Sequence, residues 1–153
     1  MHDLAVIIVS HNDGAWLRPC LSSIYERAGT LDLDVVIAAD QLAGVAASLT
    51  GYRVERFPHS LNVSLPGSDL RVQIQTDPRY ARFVERAAPH EILGHMLPVA
   101  AIEDLLQGKV WAAGDRSRRA SKRQKDLADI ARLIEAHPHL RDQVPAELLD
   151  RLV

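Results

Sequence analysis

The chain is predicted to adopt an α/β fold built on a mixed β-sheet. A continuous apolar run at residues 4–9 and an alternating run at residues 30–38 are separated by one helix length, which is typical of a strand–helix–strand crossover. Two more alternating runs flank turn residues at positions 66–69, and this pattern predicts a central β-hairpin. In the C-terminal third, apolar residues recur at helical spacing, so that part is expected to be helical.

The length and composition are those of one globular domain. Of the 153 residues, 47% are apolar and 25% charged, and a net charge of −2 gives the chain as a whole no attraction to nucleic acid or membrane. The single cysteine, Cys20, cannot form an internal disulfide, which fits a reducing compartment. The run at residues 4–9 is too short for a signal sequence or a membrane span. We therefore expect a single domain over residues 1–153 and a cytoplasmic location.

The first 39 residues are predicted to form a βαβ unit. Residues 4–9 are apolar and rich in β-branched side chains, as in a strand that is buried on both faces. Turn residues follow at positions 10–14. Apolar residues from Trp16 to Ile24 then lie on one face of a predicted helix that ends near Gly29.

Two carboxylates stand at the start of the second strand. Alternate residues of a strand share a face, so Asp32 and Asp34 project the same way while the intervening Leu33 faces the core. Carboxylates at this spacing can hold Mg²⁺ together with the phosphates of a nucleoside triphosphate. The alternative interpretation is that both acids simply occupy the solvated face of the strand.

The middle and the end of the chain are predicted from turn and helix signals. Asp77 followed by Pro78 is a helix start, and Ser121 is expected to cap a long helix that stops before Pro138. The other predicted elements are a helix at residues 41–50 that ends at Gly51, a strand at 52–57, the hairpin at 60–76, helices at 78–88, 99–111 and 145–152, and a connector at 89–97.

One resemblance covers the N-terminal quarter. Ser10-His11-Asn12-Asp13 forms the turn, and Leu17, Cys20, Leu21, Ser23 and Ile24 lie on the helix after it. With these residues the first 39 positions resemble the start of a family 2 glycosyltransferase domain. The resemblance implies an alternative function, a truncated binder of sugar nucleotides that uses Ser10, Asn12 and Asp40.

A second resemblance covers the chain from residue 30 onward. It is carried by the strand with Asp32 and Asp34, the hairpin at residues 65–77, the segment at 97–109 and the helix start at 122–130. These segments resemble the nucleotidyltransferase fold, in the group of AbiEii/AbiGii toxin-like and minimal nucleotidyltransferases. The resemblance implies that Asp32 and Asp34 bind Mg²⁺ and ATP or another NTP, and that a nucleotidyl group is transferred to a hydroxyl of a protein or of RNA such as tRNA. The two resemblances together suggest a chimeric chain.

The third carboxylate of such a site is expected on the hairpin strand. There the face that should match the Asp pair offers Gln73 and Gln75, so we predict that these amides complete the catalytic site. A neutral ligand in place of an acid would weaken the site or leave it inactive. Asp69 or Asp77, at the ends of the hairpin, is the alternative third acid.

Basic residues in the C-terminal third are candidates for phosphate binding. Lys109, Lys122 and Lys125 are predicted to contact the triphosphate. Six cations lie within ten residues and suggest a cradle for a triphosphate or an RNA backbone. The alternative is a solvated basic loop, because the interleaved aromatic residues of single-strand binders are missing. The six are Arg116, Arg118, Arg119, Lys122, Arg123 and Lys125.

Two classes of function therefore remain open beside the sugar-nucleotide binder. The first is a metal-dependent nucleotidyltransferase, either active or weakened. The second is a non-enzymatic interaction or regulatory module of a toxin–antitoxin type system, which keeps the fold and binds a partner or forms a homodimer.

Overall fold

The computed structural model describes residues 6–10, 32–37, 49–64, 71–92 and 95–152. It gives the backbone alone for the strand residues 6–10, 32–37, 71–72, 92, 95 and 97. By its internal contacts the chain divides into two compact units, Met1–Ala101 and Ile102–Val153. The predicted single domain stays a prediction. The helix predicted between Trp16 and Ile24, and most of the one predicted at residues 41–50, lie outside the described residues.

The first unit is built on a mixed seven-stranded sheet, which confirms the predicted α/β class. The strand order is β3-β4-β5-β2-β1-β7-β6. The strands are β1 (Val6–Ser10), β2 (Asp32–Ile37), β3 (Arg53–Phe57), β4 (Ser60–Ser64), β5 (Arg71–Gln75), β6 (Ala88–Ile92) and β7 (His95–Val99).

The centre of the sheet is parallel and its two sides are antiparallel. Strand β2 runs parallel to β1 on one side and to β5 on the other. The parallel pair of β1 and β2 is what the crossover prediction requires. Strands β4 and β5 pair antiparallel over five residues each, which confirms the predicted hairpin.

The alternation of apolar and polar residues decides which face of the sheet is buried. Leu61 and Val63 of β4 and Ile74 of β5 are all buried, and Ile74 is completely inaccessible. Asn62, between the two buried residues of β4, is exposed. The apolar residues therefore form one packed face, and the polar residues lie on the opposite face.

Two local signals before and after the hairpin are confirmed. Gly51 has φ +92°, and Tyr52 N–H donates to the carbonyl of Leu49 at 3.1 Å, so a tight turn with a left-handed glycine leads into β3. Asp77 caps a short 3₁₀ helix, Pro78–Tyr80, by accepting a hydrogen bond from Arg79 N–H at 2.9 Å. Helix α1 (Ala81–Arg86) follows directly and packs beside β1 and β2.

The predicted connector at residues 89–97 is wrong. Strands β6 and β7 form an antiparallel pair in which Pro89 faces Pro98 and His90 faces Leu97. Strand β7 also contacts β1 through Ile8 and Val99, so it extends the sheet. Strand β6 is the outer edge, where a proline costs no internal ladder bond.

The regular elements in the described part of the second unit are all helices. It consists of α2 (Ile102–Gly114), α3 (Ala120–Ala136), a 3₁₀ helix Pro138–Gln143 and α4 (Ala146–Leu149). Helix α2 begins at Ile102, not at residue 99, because Val99 still belongs to β7. The predicted Ser121 cap is wrong as well: α3 begins at Ala120, and the carbonyl of Arg119 accepts hydrogen bonds from the N–H groups of Lys122 and Arg123.

Helices α2 and α3 pack against each other around a small apolar core. Leu106 and Ala113 of α2 and Leu127 and Ile130 of α3 are buried there, and Leu140 from the 3₁₀ helix closes it. Within the described residues, no helix is long and apolar enough to cross a membrane.

Candidate functional site

Strand register brings the predicted site residues of the first unit to one place. Strands β2 and β5 are neighbours, and Asp34 pairs with Gln73 in the parallel register. Paired positions on neighbouring strands are about 4.8 Å apart and lie on the same face of the sheet. Positions 32, 34, 73 and 75 therefore share one face, as the sequence predicts.

The pairing is closest for Asp34 and Gln73. Gln75 pairs with Val36, one step further along the strands, and lies about 7 Å from Gln73 along β5. Both glutamines are partly exposed. Of the two predicted amides, Gln73 is therefore the one placed to share a ligand with the Asp pair.

Arg71 is a site residue to which the sequence reasoning gave no role. It pairs with Asp32 in the same parallel register, so a cationic residue stands beside one of the two carboxylate positions. Alternation along β5 places Arg71 on the face of Gln73, but only the register shows which acid it adjoins. A guanidinium at this position is a candidate for binding phosphate.

The polar face continues across the hairpin. Gln73 pairs with Asn62 of β4, and Asn62 pairs with Glu55 of the edge strand β3. Glu55 and Asn62 are both exposed. Three strand spacings, about 14 Å, separate Glu55 from Asp34, so Glu55 cannot share a metal ion with it.

Asp77 is already used by its neighbours. Its Oδ1 accepts the cap hydrogen bond from Arg79 N–H at 2.9 Å, and its Oδ2 accepts from Arg79 Nη2 at 2.7 Å and from Nε at 2.9 Å. The Arg79 side chain holds the pKa of this carboxyl below its usual value. This engagement argues against Asp77 as the third acid, and Asp69 lies outside the described residues.

The second unit contains an ion-pair network around Asp126. Lys109 Nζ of α2 lies 2.8 Å from Asp129 Oδ2 and 3.6 Å from Asp126 Oδ1, and Arg118 Nε lies 3.0 Å from Asp126 Oδ2. The Asp126 side chain is only 5% exposed, and that of Lys109 16%. Arg132 also contacts Asp129, at 3.0 Å. The predicted phosphate ligand Lys109 is thus held between two carboxylates of α3.

The loop before α3 and the first turns of that helix carry the six predicted cations. We call residues 115–125 the basic segment. Arg123 donates hydrogen bonds to the carbonyls of Arg116 and Arg118, and Arg118 is paired with Asp126. Lys122 and Lys125 are exposed at the start of α3.

The residues present fit a hard divalent cation in the first unit. Two carboxylates and an amide oxygen are the oxygen ligands that Mg²⁺ accepts. Among the side chains that the structure describes, no group of three or more His, Cys, Asp or Glu could hold a metal ion, and the side chains of Asp32 and Asp34 are not in that set. For Ser10 only the backbone is described, and Asn12, Cys20 and Asp40 lie outside the described residues.

Comparison with known proteins gives one family. A family model described as the nucleotidyl transferase AbiEii toxin of type IV toxin–antitoxin (TA) systems matches residues 3–152. No curated protein matches the chain.

Proposed function

Since the chain belongs to the family of AbiEii nucleotidyl transferase toxins of type IV toxin–antitoxin systems, we propose that it transfers a nucleotidyl group from an NTP to a hydroxyl of RNA or protein. The acceptor oxygen forms a bond to the α-phosphorus of the NTP, and pyrophosphate and a proton are released. The observation that supports this proposal best is the register of Asp34 with Gln73 on the central parallel strands.

Asp32 and Asp34 would bind Mg²⁺ in this proposal. When bound, the ion would neutralise charge on the phosphates of the nucleotide. Gln73, one strand away, would add a neutral oxygen ligand, and Gln75 lies further from the acids. Arg71, beside Asp32 and on the same strand as Gln73, would attract the phosphates.

In this proposal Lys109, Lys122 and Lys125 of the second unit remain candidate phosphate ligands. Lys122 and Lys125 are exposed, as a phosphate ligand must be. Lys109 is paired with Asp129 at 2.8 Å, so it would bind phosphate only by giving up or sharing that carboxylate. We therefore expect Lys109 to contribute less direct binding than the two exposed lysines.

Isothermal titration calorimetry with ATP, GTP, CTP and UTP in the presence of Mg²⁺ tests the site. Asp34→Asn should weaken the binding of the preferred nucleotide at least about tenfold, because it removes one anionic ligand of the metal. The matched control is Glu55→Gln, in the same row of the sheet but on the edge strand. No binding of any NTP, or equal effects of the two variants, would overturn the proposal.

The amide at position 73 makes a sharper test possible. Gln73→Asp supplies the acid that the resemblance leads one to expect, beside Asp34. If the site is a weakened transferase, this variant should bind Mg²⁺ more tightly and transfer labelled nucleotide faster. Asn62→Asp, one strand further out, adds the same charge and should have little effect.

The same amide favours a second candidate function. With Gln73 in register with Asp34, the adjoining strand offers no third carboxylate there. A non-enzymatic module that binds a partner or forms a homodimer fits that arrangement. It predicts association with a partner or with itself, no nucleotide-dependent stabilisation of the wild type, and no transfer by Gln73→Asp either.

A further inference from the structure

Side-chain hydrogen bonds hold the loop of the basic segment in place, which a run of solvated charges would not require. Asp115 Oδ1 accepts hydrogen bonds from Ser117 N–H at 2.9 Å and from Ser117 Oγ–H at 2.7 Å, which closes a turn at the start of the loop. The guanidinium of Arg123 then ties the first turn of α3 to the carbonyls of Arg116 and Arg118. The loop is thus fastened at both ends.

Two of the six cations stabilise the loop through contacts with Asp126 and with backbone carbonyls, and three others make no such contact. Arg118 is anchored to the buried Asp126, and Arg123 is used by the loop carbonyls. Arg116, Arg119 and Lys122 are exposed, and their side chains make no ion pair with any residue that the structure describes. The two cations that hold the loop therefore leave Arg116, Arg119 and Lys122 exposed to solvent.

This arrangement concentrates positive charge at an energetic cost. Like charges within about 8 Å repel each other at physiological ionic strength. The only acid among residues 115–125 is Asp115, whose carboxylate accepts hydrogen bonds from Ser117. Ser117 holds the pKa of that carboxyl below its usual value, so the group stays ionised. Together with Asp126, which pairs with Arg118, it offsets two of the six positive charges, and a local excess of positive charge remains.

We propose that the basic segment binds the phosphate backbone of folded RNA, with Arg116, Arg119 and Lys122 as the contacting residues. The segment has no aromatic residue to stack on unpaired bases, which favours contacts with phosphates rather than with bases. It has no large apolar side chain either. Insertion into a membrane and the apolar core of a protein interface both need such side chains.

This inference goes beyond the proposed transfer reaction. Backbone binding of this kind requires neither nucleotide nor Mg²⁺, since it depends on charge at the surface of the second unit. It would concentrate an RNA acceptor on the protein. It can also hold if the Asp pair binds no metal, so the two proposals are tested separately.

Fluorescence anisotropy of a labelled RNA stem-loop, with the full chain in EDTA and over a series of salt concentrations, tests the proposal. The triple variant Arg116→Gln/Arg119→Gln/Lys122→Gln removes three phosphate contacts. The slope of log K against log salt should therefore become shallower by about 2 to 3. At low salt the affinity should fall at least about tenfold.

The matched control is Arg56→Gln/Arg141→Gln/Arg151→Gln, which makes the same charge change at other exposed arginines. It should stay within about twofold of the wild type if contacts rather than net charge bind the RNA. The variant Arg116→Lys/Arg119→Lys keeps the charge and should retain most of the affinity. Asp34→Asn should bind RNA as the wild type does, whatever its effect on NTP binding.

Three outcomes would overturn the proposal. One is no RNA binding at low salt by the wild type, and another is an equal loss of affinity in the two triple variants. The third is tighter binding to anionic lipid vesicles or to an acidic peptide than to the stem-loop. Circular dichroism of each variant checks that the fold is intact, as expected for substitutions at exposed side chains.

Discussion

Asp126 is the residue on which the ion pairs of the second unit converge. Its carboxylate is 5% exposed and lies between Lys109 and Arg118. Asp126→Asn should lower the free energy of unfolding by about 2 kcal/mol. This loss is smaller than that for a fully buried ion pair, because Lys109 keeps its ion pair with Asp129 and the Arg118 side chain can be solvated. Urea denaturation measures the loss. The exposed Asp142→Asn should change stability by less than about 0.5 kcal/mol, and an equal loss there would contradict the assignment.

Asp77 makes the stability of the first unit depend on pH. Its pKa is lowered chiefly by the hydrogen bonds of the Arg79 side chain, so the ionised form is favoured in the folded state. The stabilisation is complete above the unfolded value of 3.8 and is lost as the pH falls through the lower folded pKa. Asp77→Asn keeps a cap, so its free energy of unfolding should change less between about pH 4 and pH 2 than that of the wild type. Urea midpoints at each pH measure this, with Asp150→Asn as control.

At the residue scale, sequence alternation was sufficient to predict the shared face of Asp34 and Gln73. Alternation fixes the face of each residue on its own strand, and a hydrophobic face then selects the register. It could not show that Arg71 adjoins Asp32, because that depends on how two strands distant in sequence are aligned. Nor could it show that Asp126 and Asp129 engage Lys109, since α2 and α3 had first to be packed together.

At the element scale, a comparison of Gly51 with Gly114 distinguishes the effect of backbone strain from the effect of side-chain packing. A Cβ added at Gly51 or at Gly114 would meet nothing within 4 Å, but only Gly51 has a positive φ, of +92°. Gly51→Ala should therefore destabilise the protein by about 1 to 2 kcal/mol, and Gly114→Ala, at the end of α2, should be neutral or stabilise it by up to about 1 kcal/mol. Thermal or urea denaturation of both variants measures the difference. A stabilising Gly51→Ala would contradict the turn.

The element that sequence reasoning missed is the β6–β7 pair. Pro89 and Pro98 indicated a connector, since proline cannot donate a ladder hydrogen bond. In the structure the two prolines face each other: Pro89 lies on the edge strand β6, where no inner ladder bond is lost, and Pro98 lies on β7, which pairs with β1 only through Ile8 and Val99 among the described residues.

The predicted cap at Ser121 was wrong because side-chain preference alone does not determine where a helix begins. In the structure the helix begins at Ala120, and Arg123 in its first turn donates a hydrogen bond to the carbonyl of Arg118 in the loop.

At the scale of the whole molecule, the prediction of a single domain can be tested with two core residues. Ile74 belongs to the first unit and Ile130 to the second, and both are completely inaccessible. Replacement of either by Ala should cost about 3 kcal/mol, which is about 10 °C in Tm for a chain of this size. If the chain unfolds as one domain, both variants lower the same calorimetric transition. Two transitions, each shifted by only one variant, would contradict the prediction, and Arg141→Gln serves as the exposed control.

The family could be predicted because its characteristic residues lie in short segments that can be recognised without knowing the fold. The strand with Asp32 and Asp34, the hairpin and the helix start at residues 122–130 were recognisable from residue order alone, and the matched residues 3–152 include all of them. The activity could not be predicted in the same way. It depends on whether an amide can take the place of an acid at one register position, which is a question of chemistry rather than of pattern.

Strand β2 is the fourth of seven strands and has a parallel neighbour on each side. Its amides bond alternately to the β1 and the β5 ladder, so each can exchange with deuterated water only when one of these two inner ladders opens. The backbone that carries Asp32 and Asp34 is therefore held rigid by both neighbouring strands. Any motion that admits or releases a bound molecule must come from other parts of the chain.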